Sequence, residues 1–284
     1  MKKILVISDE FPPYGGGAGV VAKQMVEGLQ SNGHHVELLT NNLVKKKNKH
    51  KPYSILSVFR IKILWLFFYL FKFFFIKWSK YDTIILNDAN TILPFVFFGN
   101  KTIRKKTLLI VHGTDLIDSY LYKKSFLFKL ANEKFKILLQ EVKLVIGVSD
   151  FMKNYVHQAH PELTNLKRWY SGVDFDSFKV LVDTKFVDVA CINILTVSRV
   201  VLEKGYEEMY LLFKQIHDKN KRYKWHIAGD GKFLNEFKSK VKHELMDEFI
   251  VFHGKLNSGE LANLYNKMDV FMLLSNEEES FGSI

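Results

Sequence analysis

The feature that most constrains this chain is its rhythm. Short uncharged runs of Val, Ile and Leu recur along the sequence, each followed by a longer stretch of helical periodicity. Residues 3–7, 36–40, 83–87, 108–112 and 144–148 read as strands, with helices at 19–31 and 116–140. Strands that are apolar on both faces and separated by helices belong to a parallel sheet covered on each side, an α/β doubly wound architecture, because a half-solvated antiparallel strand would alternate in polarity. After Gly172-Val173-Asp174 the pattern loosens. It then restarts with strands at 192–197, 225–228, 250–252 and 270–274 and helices at 205–219, 233–245 and 258–266. Two domains follow, residues 1–175 and 176–284, with a linker near 175–190.

Composition agrees with a folded chain: 48% hydrophobic, 25% charged, 16 Gly and 5 Pro in 284 residues exclude collagen-like, low-complexity and disordered classes. Cys191 stands alone, so the sequence offers neither an internal disulfide nor a cysteine framework for zinc, and it fits a reducing compartment. With 41 Lys and Arg against 30 Asp and Glu, the formal net charge of +11 calls for anionic partners. The apolar run behind Met1-Lys2-Lys3 is too short for a signal peptide and reads as a buried strand. The last strand is followed almost at once by Ile284, with no helix to cover it, so the second domain is expected to be truncated.

The segment from Val58 to Trp78 is dense in Phe and Trp yet carries Arg60, Lys62, Lys72 and Lys77. Its longest uncharged apolar run, Ile63 to Phe71, has nine residues, against the roughly 20 that a spanning helix needs. Aromatic residues flanked by lysines suit instead a helix lying in the headgroup region of an anionic leaflet, an attraction to which Lys45, Lys46, Lys47, Lys49 and Lys51 add. A core helix with a solvated basic edge is the other reading.

Between strand 3–7 and its helix lies Phe11-Pro12-Pro13-Tyr14-Gly15-Gly16-Gly17-Ala18-Gly19, where glycines let backbone approach a ligand and a helix N-terminus offers N–H groups to an anion. Gly17-x-Gly19-x-x-Ala22 also matches a dinucleotide fingerprint, with Glu37 as its ribose acid, although the seven-residue Ser8-to-Tyr14 loop intervenes where the fingerprint has none. Strand 192–197 leads into Ser198-Arg199 and then Lys204-Gly205, two cations bracketing a loop at a helix start, which read either as a diphosphate site or as a solvated loop. Ala228-Gly229-Asp230-Gly231 ends the next strand in a glycine turn. After the last strand comes a run of carboxylates, of which Glu279, directed by the Phe281-Gly282 turn, is the one to single out. His157 and His160, at HxxH spacing but without a completing ligand, read as surface residues, and the basic cluster from Lys101 to Lys106 lacks the aromatic interleaving of a nucleic-acid surface.

Taken in order, Pro13-Tyr14-Gly15-Gly16-Gly17-Ala18, Ser171-Gly172-Val173-Asp174, Ser198-Arg199, Lys204-Gly205, Ala228-Gly229-Asp230-Gly231 and Glu279-Ser280-Phe281-Gly282 resemble the family 4 retaining glycosyltransferases of GT-B fold, the glycosyl transferases group 1, over essentially the whole chain. The resemblance implies two Rossmann-like doubly wound domains facing a cleft, the first on the acceptor side, the second binding a nucleotide sugar and here incomplete. It implies a hexosyltransferase acting on an NDP-sugar of UDP or GDP type, with no metal and no other cofactor. Arg199 and Lys204 would neutralise the donor diphosphate and stabilise the departing nucleotide. Gly16 and Gly17 would bring backbone to the same phosphates, with Gly229, Gly231, Phe281 and Gly282 completing the donor site. His112 would touch the donor sugar near the reacting carbon, and Glu279, first of an E-x7-E pair, would orient the sugar hydroxyls. Ser280 replaces the commoner glycine of that motif, and the second glutamate would fall just past Ile284.

The expected function is therefore transfer of a sugar to a glycan or lipid-linked acceptor in cell-surface polysaccharide synthesis. It would take place at the cytoplasmic face of the plasma membrane, with peripheral contact through Val58 to Trp78 and no nucleic acid. Two other readings are a catalytically incomplete binding or partner subunit, and an NAD-dependent enzyme built on Gly17-x-Gly19.

Overall fold

The computed structural model of the chain describes residues 1–41, 53–58, 65–121, 126–172, 178–179, 191–220 and 222–275. The apolar run KILVI becomes β1 (Lys3–Ile7), of which Ile4 to Ile7 are buried. It lies between two parallel neighbours, β2 (His35–Asn41) and β4 (Thr83–Leu86). Outside β2 lies β3 (Ser54–Val58); beyond β4 come β5 (Thr107–Val111), β6 (Leu144–Gly147) and β7 (Leu166–Arg168). The sheet order is β3-β2-β1-β4-β5-β6-β7 and every pairing is parallel.

This order has a functional consequence. The chain winds outward from β1 through β2 and β3, then returns to the other side with β4, so the winding reverses between β1 and β4. Connections leave in opposite directions there and open a crevice at the carboxyl ends of the strands, where doubly wound sheets bind ligands.

The second sheet repeats the pattern on a smaller scale. It comprises β8 (Ile192–Val197), β9 (Tyr223–Ala228), β10 (Ile250–Gly254) and β11 (Val270–Phe271), in the order β10-β9-β8-β11 and parallel throughout. Its reversal lies between β8 and β11. The chain divides into two compact units, the first running Met1–Gly172 and the second beginning at Val173. Each has its own core. In the second, Trp225 is fully buried among Tyr206, Phe213 and Phe237, and its indole N–H donates to Thr196 Oγ1 at 2.9 Å.

Some helices begin where side chains cap them. Ser149 accepts from the Met152 N–H at 3.0 Å ahead of helix Asp150–Ala159, and Asn257 and Glu260 form a reciprocal capping box ahead of Ser258–Tyr265. The helical stretch after β5 is two helices, Thr114–Leu121 and Phe126–Glu141. The segment from Val58 to Trp78 is not one helix: β3 ends at Val58, helix Trp65–Phe75 follows, and a tight turn occupies Trp78–Lys80. That helix buries Tyr69 and Phe73, so one face is core, as the alternative reading had it, whereas Phe67, Phe71, Phe74 and Phe75 are 56–71% exposed. Among the described residues no helix is long and apolar enough to cross a membrane. Arg60, Lys62 and the lysines from Lys45 to Lys51 lie outside the described residues.

Candidate functional site

At the carboxyl edge of the first sheet, β1 and β4 run on into Ser8-Asp9-Glu10 and Asn87-Asp88. The backbone continues the ladder, with the Ser8 N–H donating to Leu39 O and the Asn87 N–H to Ile7 O, each at 3.0 Å. Side chains then close the crevice floor. The Asn87 amide donates to Ser8 Oγ at 3.0 Å and to Ala18 O, in the first turn of helix Gly17–Ser31, at 2.9 Å. Both its N–H groups being engaged, Asn87 Oδ1 faces His112 Nε2 at 3.1 Å, which assigns the imidazole proton to Nε2. His112 directly follows β5. Burial pushes its pKa down to about 4, so the ring is neutral at neutral pH.

Asp88 shares this floor. Its Oδ2 accepts from the Asp9 N–H at 2.7 Å and the Glu10 N–H at 3.4 Å and contacts Ser8 Oγ at 3.0 Å. Its Oδ1 is buried with no partner among the described residues. Burial first, and the neighbouring Asp9 carboxylate second, push its pKa up to about 7, despite hydrogen bonds that favour the ionised form.

The glycine loop stands over the same edge. Gly16 caps helix Gly17–Ser31, and its N–H donates to Glu10 Oε2 at 2.7 Å, so the protein's own carboxylate occupies one of the donors offered to an anion. A side chain at Gly19 would meet the Phe11 N and Glu10 C atoms at 3.1 and 3.2 Å, so this glycine seats the helix on the loop. The dinucleotide reading loses its acid: Glu37 sits mid-strand, where Tyr81, Lys80 and Lys3 hold its carboxylate at 2.6, 2.9 and 3.2 Å. Burial works against ionisation there, but those partners keep the Glu37 pKa below its ordinary value.

In the second unit, Arg199 and Lys204 fall on the loop leaving β8, at the point where that sheet's winding reverses. Arg199 is exposed and forms no ion pair among the described residues. The loop is held rigidly. Gly205, the N-cap of helix Tyr206–Lys219, has φ +71°, and a Cβ there would stand 1.6 Å from Leu274 O. Gly229 and Gly231 do allow close backbone approach, but it is the loop itself that approaches: Cβ atoms there would stand 1.9 Å from Ser198 O and 2.2 Å from Val200 O. Reciprocal bonds from the Val200 N–H to Asp230 O and from the Phe233 N–H to Val200 O lock the two turns together. Ser198 Oγ meets the buried Tyr206 hydroxyl at 2.9 Å. The two glycines thus shape the Arg199 loop from behind.

The sequence-derived candidates therefore gather at two edges. Gly16, Gly17 and His112 lie at that of the first sheet, and Arg199, Lys204, Gly229 and Gly231 at that of the second. Glu279, Phe281 and Gly282 lie outside the described residues. Ser8, Glu10, Asn87 and Asp88 were missed; the available signal was the polar pair Asn87-Asp88 ending an apolar strand, as Ser8-Asp9 ends another. His160 is a correction, since it is 1% exposed, packed against Phe135 with Nδ1 3.4 Å from Glu162. Arg104 of the basic cluster turns inward to Glu141 at 3.0 Å and to the Val96 and Phe95 carbonyls. Among the described residues no group of three or more His, Cys, Asp or Glu is placed to hold a metal ion.

Comparison with known proteins bears on this arrangement. Residues 15–177 match Glycosyltransferase Family 4, and residues 191–284 match Glycosyl transferases group 1. Alpha-monoglucosyldiacylglycerol synthase of Streptococcus pneumoniae is 27% identical over 86 residues, 30% of this chain and only 20% of that protein's length. Among solved structures, HepE of Anabaena in complex with UDP-glucose superposes with a TM-score of 0.72 at 15% identity, over 99% of this chain and 76% of that one. Sucrose-phosphate synthase from Thermosynechococcus elongatus gives 0.76 at 18% identity, over 99% and 77%. These likenesses establish the fold class, GT-B.

Proposed function

This chain belongs to Glycosyltransferase Family 4, with glycosyl transferases group 1 in its second unit, and on that premise we propose that it moves a sugar, with retention, from a UDP- or GDP-sugar to a glycan or lipid-linked acceptor. The observation that carries the reading is the loop leaving β8. Two cations bracket the turn that leads into a helix start at a winding reversal, on a loop that Gly205, Gly229 and Gly231 hold against neighbouring backbone. A diphosphate at that edge gains two charge-assisted partners and a helix dipole, and the same groups stabilise the charge that grows as the nucleotide leaves. The UDP-glucose complex of HepE and the glycolipid named in the streptococcal relative support this choice of donor and acceptor class.

In this reading His112, neutral and fixed in its Nε2-protonated form, lies against the donor sugar near the reacting carbon. Glu279 orients the sugar hydroxyls, with Phe281 and Gly282 shaping the turn behind it. Gly16 and Gly17 present backbone to the phosphates once Glu10 yields its bond to Gly16. In this reading the diphosphate charge is met by Arg199 and Lys204 rather than by a metal ion.

The acceptor side of the reading rests on helix Trp65–Phe75. Phe67, Phe71, Phe74 and Phe75 face outward, joined by Phe98 at 47% exposure, beside Lys72 and Lys77. In this reading such a face rests in the headgroup region of an anionic leaflet, which accords with a peripheral position at the inner face of the membrane and a lipid-linked acceptor.

Turnover tests the reading. Incubated with UDP- and GDP-sugars, a lipid extract and EDTA, the protein should release nucleotide and yield a product whose anomeric proton coupling matches that of the donor. An inverted product, or release that requires added metal, contradicts it.

A further inference from the structure

The floor of the first sheet's crevice contains a polar chain in which the Ser8 hydroxyl faces more acceptors than it has protons. Ser8 Oγ carries a single proton but lies 2.6 Å from Glu10 O and 3.0 Å from Asp88 Oδ2, while accepting from the Asn87 amide at 3.0 Å. If Asp88 is ionised, Glu10 O and Asp88 Oδ2 compete for that one proton and a buried contact goes unmade. If Asp88 Oδ2 carries a proton it donates to Ser8 Oγ while still accepting from the Asp9 N–H, Ser8 donates to Glu10 O, and all contacts of Ser8 Oγ are satisfied. The two protonation states thus differ in the direction of the Ser8 hydroxyl. They differ also in how strongly Ser8 Oγ receives Asn87, the residue whose Oδ1 holds His112.

We propose that Asp88 is a positioning residue for His112, acting through the Ser8 hydroxyl and the Asn87 amide. The inference rests on the reading above that His112 meets the donor sugar. Ser8 and Asn87 are fully buried and Asp88 is 9% exposed, so water does not interrupt the chain. Asp88 is faced by groups from two elements. From the loop after β1 come the Asp9 carboxylate and Glu10, whose own carboxylate is engaged by Gly16; from helix Trp65–Phe75 comes the Tyr69 phenol, which donates to Thr91 O at 2.9 Å. Thr91 Oγ1 in turn donates to the Asp88 carbonyl at 2.7 Å and fixes the residue's backbone. Burial first, with the unpartnered Oδ1, and then the anionic neighbour Asp9 favour the neutral carboxyl against the hydrogen bonds that Oδ2 accepts, and bring its pKa to about 7, where both forms are populated. Loss of the Asp88 proton to solvent turns the Ser8 hydroxyl from Glu10 O toward Asp88 Oδ2 and changes how strongly Ser8 Oγ accepts from Asn87; no proton moves to His112, whose ring stays neutral while its hydrogen bond strengthens or weakens.

The test is NMR of the whole chain with 15N-labelled histidine, His112 being assigned by its loss in His112→Gln. Between pH 6 and 8 the His112 Nε2 resonance should move with a midpoint near 7 while the ring remains neutral. The movement should vanish in Asp88→Asn. In Ser8→Ala, which retains the carboxyl but removes the relay, it should also vanish, and kcat should fall about tenfold with donor KM within about twofold. A His112 resonance that is flat from pH 6 to 8, or a midpoint that survives both substitutions, overturns the proposal. The near-isosteric variants probe the same chain independently, so misfolding of one leaves the other decisive. Absence of turnover from every donor, with the midpoint present, overturns the glycosyltransferase reading and leaves the coupling standing.

Discussion

His112 and Asp88 make opposite demands on the folded state. His112 has its pKa pushed from 6.5 to about 4 by burial, so between those values the unfolded chain binds more protons and stability rises with pH. Asp88 has its pKa raised from 3.8 to about 7, so over its window the native chain binds more protons and stability falls as pH rises. The two slopes oppose each other from about pH 4 to 6.5. Replacing one residue therefore exposes the other. In Asp88→Asn, urea midpoints should climb with pH from 4 to 6.5, whereas in His112→Gln they should decline from pH 4 to 7; parallel profiles for wild type and both variants would contradict the assignment. At this scale the sequence was legible where a residue's neighbours are sequential. His112 was singled out by the family resemblance, its place after an apolar strand and before Gly113 supplying the register. Asp88 was not legible, because an acid after a strand carries no message until β4 is known to lie beside β1, 79 residues away from the Asp9 N–H it holds.

Elements differ in how much of them is local. Strands β1 and β8 end where the sequence predicts, because continuous apolar runs are bounded by polar turns. β3 and β7 were missed: SILSV and LKR are short, mixed edge segments that owe their conformation to the strand beside them. Helix Trp65–Phe75 was legible only as an aromatic, lysine-flanked segment, since both its faces are aromatic and only packing decides that Tyr69 and Phe73 are the buried ones. The helix start at Gly205 shows the reverse, a position set by tertiary approach. Gly205→Ala forces a left-handed backbone and a collision with Leu274 O. It should destabilise the protein by about 1–3 kcal/mol, read as a lower denaturant midpoint on the tryptophan signal of Trp225, whereas an unchanged midpoint would show the loop to be pliant.

For the whole molecule, sequence rhythm was sufficient to count two doubly wound sheets but not to order their strands. That order locates both winding reversals and hence both candidate edges. The excess of positive charge acts at this scale too. With +11 overall and an outward aromatic face, binding to anionic vesicles should be measurable and should weaken with salt. Replacing Phe67, Phe71, Phe74 and Phe75 together by Ser should reduce co-sedimentation with such vesicles at least tenfold without lowering Tm; equal sedimentation would remove the membrane from the account.

The central claim is that the loop from Ser198 to Gly205 receives a nucleoside diphosphate, and calorimetric titration tests it most directly. UDP, GDP and NAD are titrated into the protein and into its Arg199→Ala, Lys204→Ala double variant. The account predicts that UDP or GDP binds, that NAD does not, and that the double variant weakens nucleotide binding at least tenfold. Binding of NAD alone, or nucleotide affinity unchanged in the double variant, would contradict it.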